Sequence, residues 1–439
     1  MGLTVVRVVR VLAVSTLTAL WCFGTPSAHA VSPPEIDDRW LPKPALPAPP
    51  RPSVQRGVCA MVVEDSGTSH DPFANPDLAR VWQLSRGAGQ RVAVIDTGVS
   101  RHRRLPNLVP GGDYVFTGDG TQDCDAHGTL VAGIIAAAPD LDGFSGVAPD
   151  VTLISIRQSS AKFGRASDSS SSGVGDVDTM AAAVRTAADL GASVINISSV
   201  ACVPVESALD DRALGAALAY AVEIKNAVVV AAAGNTGGAG QCPPQRADGS
   251  WQTTTVAVSP AWYDDLVLTV GSVSTNGAAS AFTLAGPWVD VAATGEGVTS
   301  LGAAPLSGTS FAAPFVSGLA ALIRARFPTL TARQVMQRIE STAHHPPGGW
   351  NPFVGNGAVD VLAAVSTDAN PTGNTPMPPT PVPLSSPPAP RPPNSPGRGT
   401  ALRGATGCLV ALVAVLLVGA AKARLPGWSR ATRDGVSGD

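Results

Sequence analysis

The chain is expected to fold as an α/β protein, with a mostly parallel central sheet between two layers of helices. Three observations predict it. Val92–Ile95 is an apolar run without alternation, the pattern of a parallel strand buried on both faces. Further short apolar runs alternate with helical stretches, as a sheet built from strand–helix–strand units requires. Asp96, His127 and Ser310, residue types suited to nucleophilic catalysis, each stand at the edge of a strand or helix.

The composition permits such a fold and narrows its function. The 439 residues are 44% hydrophobic and 14% charged, ample for one large core with appendages. The formal net charge is −3, so nothing indicates nucleic acid or a strongly charged partner.

Residues 1–30 carry Arg7 and Arg10, an apolar run from Val11 to Phe23, and then Ala28-His29-Ala30. A basic start, a short apolar core and an A-x-A site make a secretory signal peptide; an uncleaved anchor is the alternative. Residues 31–75 are rich in proline and show no helical or strand period. Such a segment favours extended, polyproline-like chain. It reads as an extension lying along the domain that follows, with a disordered spacer as the alternative. It is too short and too proline-rich to form a folded domain of its own.

The globular domain is expected over residues 76–366. Asn75-Pro76-Asp77 starts a helix with Leu78, Val81, Trp82 and Leu84 as its apolar positions. Val92–Ile95 is the first core strand, ended by Asp96. His127-Gly128-Thr129 opens the apolar run Leu130–Ala138, and Val151–Ile156 is the next buried strand. Residues 158–178 are dominated by Ser, Gly and Asp, which bury little apolar surface, so a long exposed loop is expected. Met180–Leu190 reads as a helix and Ala192–Ser198 as a strand. Asn196-Ile197-Ser198 matches a glycosylation sequon but is discounted, because that strand is buried. Leu209–Lys225 is a helix, and Ala227–Ala232 is a strand followed by Ala233-Gly234-Asn235. Val267–Val273, Val289–Ala292 and the helix Ser310–Phe327 complete the core. Thr331, with Gln334 three residues on, caps a further helix.

Past the domain the composition changes. Residues 367–404 form a Pro-rich linker, extended and semi-rigid. Residues 405–421 are apolar, at the short end of a membrane-spanning helix. Lys422, Arg424, Arg430 and Arg433 follow, which places the tail 422–439 in the cytoplasm; a removable sorting signal is the alternative. The expectation is a single-pass protein of the cell membrane with its globular domain on the extracytoplasmic side.

Gly308-Thr309-Ser310-Phe311-Ala312-Ala313-Pro314 is a loop entering a buried helix. A lone serine there is ordinarily an N-cap. Here its hydroxyl stands at the positive helix end, beside unpaired N–H groups suited to an oxyanion. The order Asp96, His127, Ser310 separates this chain from hydrolases with the orders Ser–acid–His or His–Asp–Ser. Asp96-Thr97-Gly98, His127-Gly128-Thr129 and the 308–314 segment resemble the signatures of subtilisin-like serine proteases. The resemblance implies a subtilisin-like fold, Asp96, His127 and Ser310 as the catalytic triad, and Asn235 as an oxyanion donor. It also implies a primary specificity pocket between Ser198-Ser199-Val200 and Ala232-Ala233-Gly234. Subtilisins often show Ser-Leu-Gly where this chain has Ser198-Ser199-Val200, which points to a narrower pocket. No cofactor is implied, and no acidic cluster has the spacing of a loop calcium site.

Of six cysteines, Cys22 falls in the signal region and Cys408 in the apolar C-terminal segment. Cys59, Cys124, Cys202 and Cys242 remain on the oxidising side, an even number that favours disulfides. Four cysteines allow three pairings. The expected one joins Cys59 to Cys124, stapling the extension near His127, and Cys202 to Cys242, closing a loop around the Asn235 region. No CxxC or His-x₃-His spacing favours a metal instead.

With its Pro-rich extension, Ser/Gly loop, cysteines, Pro-rich stalk and C-terminal anchor, the chain resembles the mycosins, membrane-anchored proteases of type VII secretion systems. That resemblance implies limited proteolysis of secretion substrates and a structural role among the membrane components of the secretion complex. The competing reading is a scaffold whose protease fold mainly holds partner subunits together.

Overall fold

The computed structural model describes residues 31–62 and 76–366, apart from 170–172, 208, 239, 247 and 302–304. The chain divides into two compact units, Met1–Ala369 and Asn370–Asp439, and the second lies wholly outside the described residues. The expected signal peptide, linker, spanning helix and tail also lie outside them. Among the described residues, no helix is long and apolar enough to cross a membrane.

In chain order the strands that matter here are β1 (Ser53–Gln55), β2 (Arg91–Asp96), β3 (Leu108–Asp113), β4 (Thr152–Arg157), β5 (Phe163–Arg165), β6 (Val194–Ile197), β7 (Ala201–Pro204), β8 (Val228–Ala232), β9 (Val256–Ser259), β10 (Leu268–Val273) and β11 (Val291–Thr294). Seven of them make one sheet, in the order β11-β10-β8-β6-β2-β4-β3, with every neighbouring pair parallel. The central strands are buried along almost their whole length, because helices cover both faces. Helices His127–Ala136 and Thr309–Arg326 pack together, the latter also against β6, β8, β10 and β11. Val177–Asp189 and Arg212–Ala219 pack together as a second group, the former against β2, β4 and β6.

The edge strand β3 was not anticipated. It carries Pro110, Gly111 and Gly112 and shows a register shift between Pro110 and Gly112. Proline is tolerated at an edge, where its missing N–H interrupts no ladder. Glycine is required at 111 by close approach, since a Cβ there would lie 2.7 Å from Ile154 Cγ2 and Ile156 Cγ1.

The expectation of a wholly exposed loop over 158–178 is corrected. β5 lies inside it and pairs antiparallel with β1 of the extension, Ser53 opposite Arg165 and Gln55 opposite Phe163. Gln158, Ser160 and Phe163 are buried. Asp125 accepts the Ser160 hydroxyl and the Ala161 N–H, the latter at 2.9 Å. The order comes from partners elsewhere in the chain, which the loop's own composition does not reveal. Helix Val177–Asp189 then begins earlier than expected, with Asp176 and Thr179 forming a reciprocal capping box. The helix expected over Leu209–Lys225 starts at Arg212 and ends in a π-helical turn, Tyr220–Ile224.

Residues 31–62 make backbone contacts with the domain. The Arg56 and Gly57 N–H groups both donate to the Lys162 carbonyl, at 2.8 and 3.0 Å. Ala60 N–H donates to the Cys124 carbonyl at 2.9 Å, next to a Cys59–Cys124 disulfide with Cα atoms 4.3 Å apart. A second disulfide joins Cys202 to Cys242.

Candidate active site

Helix Thr309–Arg326 is apolar on all sides and buried from Phe311 through Ile323, so its N-terminus is a fixed point of the fold. Gly308 precedes it and Ser310 is its second residue. Pro314 lies further inside than the first turn. A residue at 314 would normally donate its N–H to the carbonyl of Ser310, four residues back; proline has none. That carbonyl instead accepts the Ser198 hydroxyl at 3.1 Å. The Ser310 hydroxyl donates in return to the Ser198 carbonyl at 2.9 Å. Among the described residues, no hydrogen bond joins Ser310 to His127.

His127 is the first residue of its helix, and Asp96 is the last residue of β2. Their side chains meet, with His127 Nδ1 2.7 Å from Asp96 Oδ1. The same oxygen accepts the Thr97 N–H at 2.7 Å, while Oδ2 is buried without a partner among the described residues. The imidazole is tilted against the Phe311 ring, centroids 5.3 Å apart. Burial pulls the His127 pKa down. The Asp96 carboxylate, by charge and hydrogen bond, with Asp123 and Asp125 beyond it, outweighs burial and raises it above the ordinary imidazole value. Gly128 allows the approach: a Cβ there would sit 3.1 Å from Asp96 Oδ1 and collide with the Gly98 carbonyl oxygen.

Sequence reasoning missed Asp123, which holds the turn into this helix. It accepts the Thr97 hydroxyl at 2.9 Å, the N–H groups of Asp125 and Ala126 at 3.0 and 2.8 Å, and Thr129 through both N–H (2.9 Å) and hydroxyl (2.6 Å). These bonds hold Ala126 in the left-handed region, at φ 65°. Burial raises the Asp123 pKa against the effect of its hydrogen bonds. The available signal was the threonine in each short motif, Thr97 and Thr129, since both serve Asp123.

Asn235 follows β8 through Ala233 and Gly234. Its Oδ1 accepts the Thr309 N–H at 2.9 Å and the Thr309 hydroxyl at 3.1 Å. A backbone N–H requires an acceptor, which fixes the orientation of the amide. Nδ2 is left facing Gly308, 3.5 Å from where a Cβ would stand on that glycine.

The residues expected to wall the specificity pocket divide. Ser198 is buried against Ser310, and Ser199 buries a hydroxyl without a partner among the described residues. Ala232 and Ala233 are enclosed in the core. Val200 and Gly234 face each other: a Cβ on Gly234 would lie 3.4 Å from Val200 Cγ2 and 3.0 Å from Cys242 Sγ. Ser199 and Val200 also line a pocket of about 220 Å³, together with Gln158, Ser159, Asp176, Met180 and Leu214. Among the described residues, no group of three His, Cys, Asp or Glu side chains is arranged to hold a metal.

Comparison with known proteins gives the same picture. The chain matches the subtilase family over residues 87–357. It is 65% identical to Mycosin-4 of Mycobacterium tuberculosis, over all of both chains. The crystal structure of MycP1 from Mycobacterium smegmatis superposes with a TM-score of 0.69 at 44% identity, covering 77% of this chain and 96% of that one. A chain of the intact ESX-5 inner membrane complex superposes with a TM-score of 0.72 at 40% identity, covering 89% of this chain and 100% of that one. The family match over residues 87–357 and the 65% identity to Mycosin-4 along the whole chain, on a sheet of this topology, place the chain in the subtilase family of serine proteases, among the mycosins.

Proposed function

We propose that the protein is a membrane-anchored serine endopeptidase that makes limited cuts in substrates of a type VII secretion system, and that it is also a structural component of the secretion complex. The observation that carries the catalytic part is the Asp96–His127 pair at 2.7 Å beside the helix mouth that presents Ser310. Ser310 Oγ attacks the scissile carbonyl carbon while His127 Nε2 takes its proton. His127 then gives that proton to the leaving amine, and water, activated by the same nitrogen, releases the acyl group. Asp96 keeps the proton on Nδ1 and stabilises the imidazolium. Asn235 Nδ2 and the Ser310 N–H hold the oxyanion, each such donor contributing on the order of 10²–10³ in rate.

The second role rests on the relatives. A chain of the ESX-5 inner membrane complex matches 89% of this one, and a further match is a periplasmic assembly of that complex. The signal peptide, the linker and the apolar segment 405–421 supply export and a tether in this reading. One comparison tests both roles: the secreted proteome and the integrity of the complex, in wild type, Ser310→Ala and a full deletion. Ser310→Ala is expected to lose proteolysis by about 10⁶ in turnover. It should keep the complex intact, whereas deletion should lose both. Full proteolysis by Ser310→Ala would overturn the triad. An intact complex in the deletion strain would overturn the structural role.

A further inference from the structure

The geometry points to a buried polar strap, Ser317–Asn196–Ser198, that positions the backbone of Ser310 by replacing the helix bond Pro314 cannot make. This rests on the reading of Ser310 as the nucleophile.

The strap runs through four hydrogen bonds. The Ser317 hydroxyl donates to Asn196 Oδ1 at 2.8 Å. Asn196 Nδ2 donates to Ser198 Oγ at 2.9 Å. Ser198 Oγ donates to the Ser310 carbonyl at 3.1 Å, and Ser310 Oγ donates back to the Ser198 carbonyl at 2.9 Å. Asn196 and Ser317 are 0% exposed and Ser198 is 5% exposed, so water does not compete for these groups.

Each bond fixes the direction of the next. Asn196 spends its oxygen on Ser317 and so presents its NH₂ to Ser198. Ser198 Oγ, accepting that N–H, has its own proton left for Ser310. The strap thus ties the second residue of the catalytic helix to the ninth through strand β6 and the residue after it. Its chemical consequence is local. The Ser310 carbonyl belongs to the 310–311 peptide, whose Phe311 N–H donates to the Gly308 carbonyl at 3.0 Å; holding its oxygen as well fixes ψ of Ser310, and with it the Cα that carries both Oγ and the N–H that must face an oxyanion. The sequon at 196–198, discounted as a glycosylation site, has a different use here: its Asn and Ser side chains are both consumed inside the fold.

Ser198 is therefore a positioning residue, and the test is whether a restored helix bond makes it dispensable. Peptide hydrolysis is measured for wild type, Ser198→Ala, Pro314→Ala and the double variant. Ser198→Ala is expected to lower kcat about tenfold with KM within about twofold, since it removes a bond that orients the oxyanion site. In the Pro314→Ala background the same change should cost less than about threefold, because the new N–H at 314 reaches the Ser310 carbonyl. Equal losses in the two backgrounds, or a loss carried by KM, would overturn the strap. If Ser198→Ala does not fold, Ser198→Cys, of similar size but a weak donor, replaces it in both backgrounds and is read the same way. Ser310→Ala run in parallel separates the two ideas. Activity in that variant removes the nucleophile assignment, whereas inactivity together with equal losses removes the strap alone.

Discussion

Asp96 holds His127 through a single carboxylate oxygen, Oδ1, which at 2.7 Å also accepts the Thr97 N–H. Two bonds on one atom at the end of β2 leave the carboxylate little freedom, and with it the imidazole. The charge around that imidazole comes from three carboxylates, Asp96, Asp123 and Asp125. They have a measurable consequence.

The acid limb of activity should lie above the range of an ordinary histidine. In the proposed triad His127 must be neutral to take the Ser310 proton, and its pKa is raised, so activity should be lost as pH falls through that raised value. Asp125→Asn removes one source of the raise without touching the Asp96 bond, so its acid limb should move to lower pH. The linkage to stability has the opposite sense. A raised folded-state pKa contributes stability that is present below the unfolded value of about 6.5 and is lost as pH rises through the folded one. A pH profile of kcat/KM for wild type and Asp125→Asn is decisive: an acid limb that stays put or moves up sinks this account of the field.

Each disulfide should stabilise the domain by roughly 2–4 kcal/mol, mainly by restricting the unfolded chain. The Cys59–Cys124 bond also stands beside the β1–β5 pairing that orders part of the 158–178 segment. Cys59→Ala with Cys124→Ala should therefore lower the free energy of unfolding and open that segment to limited proteolysis. Non-reducing peptide mapping that links Cys59 to Cys202 or Cys242 would refute the arrangement outright.

Deleting residues 31–56 should not raise peptide hydrolysis. That stretch contains β1, whose hydrogen bonds run to β5, so its removal takes away a strand partner. The expected result is a lower thermal midpoint and unchanged or reduced activity. A large rise in hydrolysis on deletion would show that the extension occludes the cleft.

Some of this was legible in the sequence, for physical reasons that differ from part to part. Buried parallel strands such as Val92–Ile95 announce themselves because both faces must be apolar. Asp96, His127, Asn235 and Ser310 stood out as candidates because each ends or opens an element at a short, unusual motif, and the fold brings Asp96 to His127. β3 was hidden because Pro110, Gly111 and Gly112 are tolerated only through its edge position and the close approach of Ile154 and Ile156. β5 was hidden because its partner lies about 110 residues away in the extension, and no local pattern encodes that. Asp123 and Asn196 went unread for a related reason. A buried polar residue serves groups that the fold, not the neighbouring sequence, brings to it.

The primary specificity pocket should be narrow and favour small residues such as Ala before the cleaved bond. Val200 stands on one expected wall and Gly234 on the other, and Val200 Cγ2 would be 3.4 Å from a Cβ on Gly234. Val200 is partly buried against the core beside Gly234, and in this reading its side chain bounds the pocket. It is stiff about χ1, and the Cys202–Cys242 bond two residues on, with β7 paired to β9, limits how far its backbone can yield. A large substrate side chain would have to displace packed atoms, at a cost of about 1–3 kcal/mol. That is roughly 5- to 150-fold discrimination in kcat/KM. Val200→Gly removes the obstruction and leaves the disulfide in place, so it should raise turnover of Phe and Leu substrates while changing Ala substrates little. A peptide series varying only this position, run on both proteins, gives the answer. Equal kcat/KM for Phe, Leu and Ala in wild type would mean that Val200 does not bound the pocket. A Val200→Gly variant without gain on the large residues would mean that the limit lies elsewhere in the cleft.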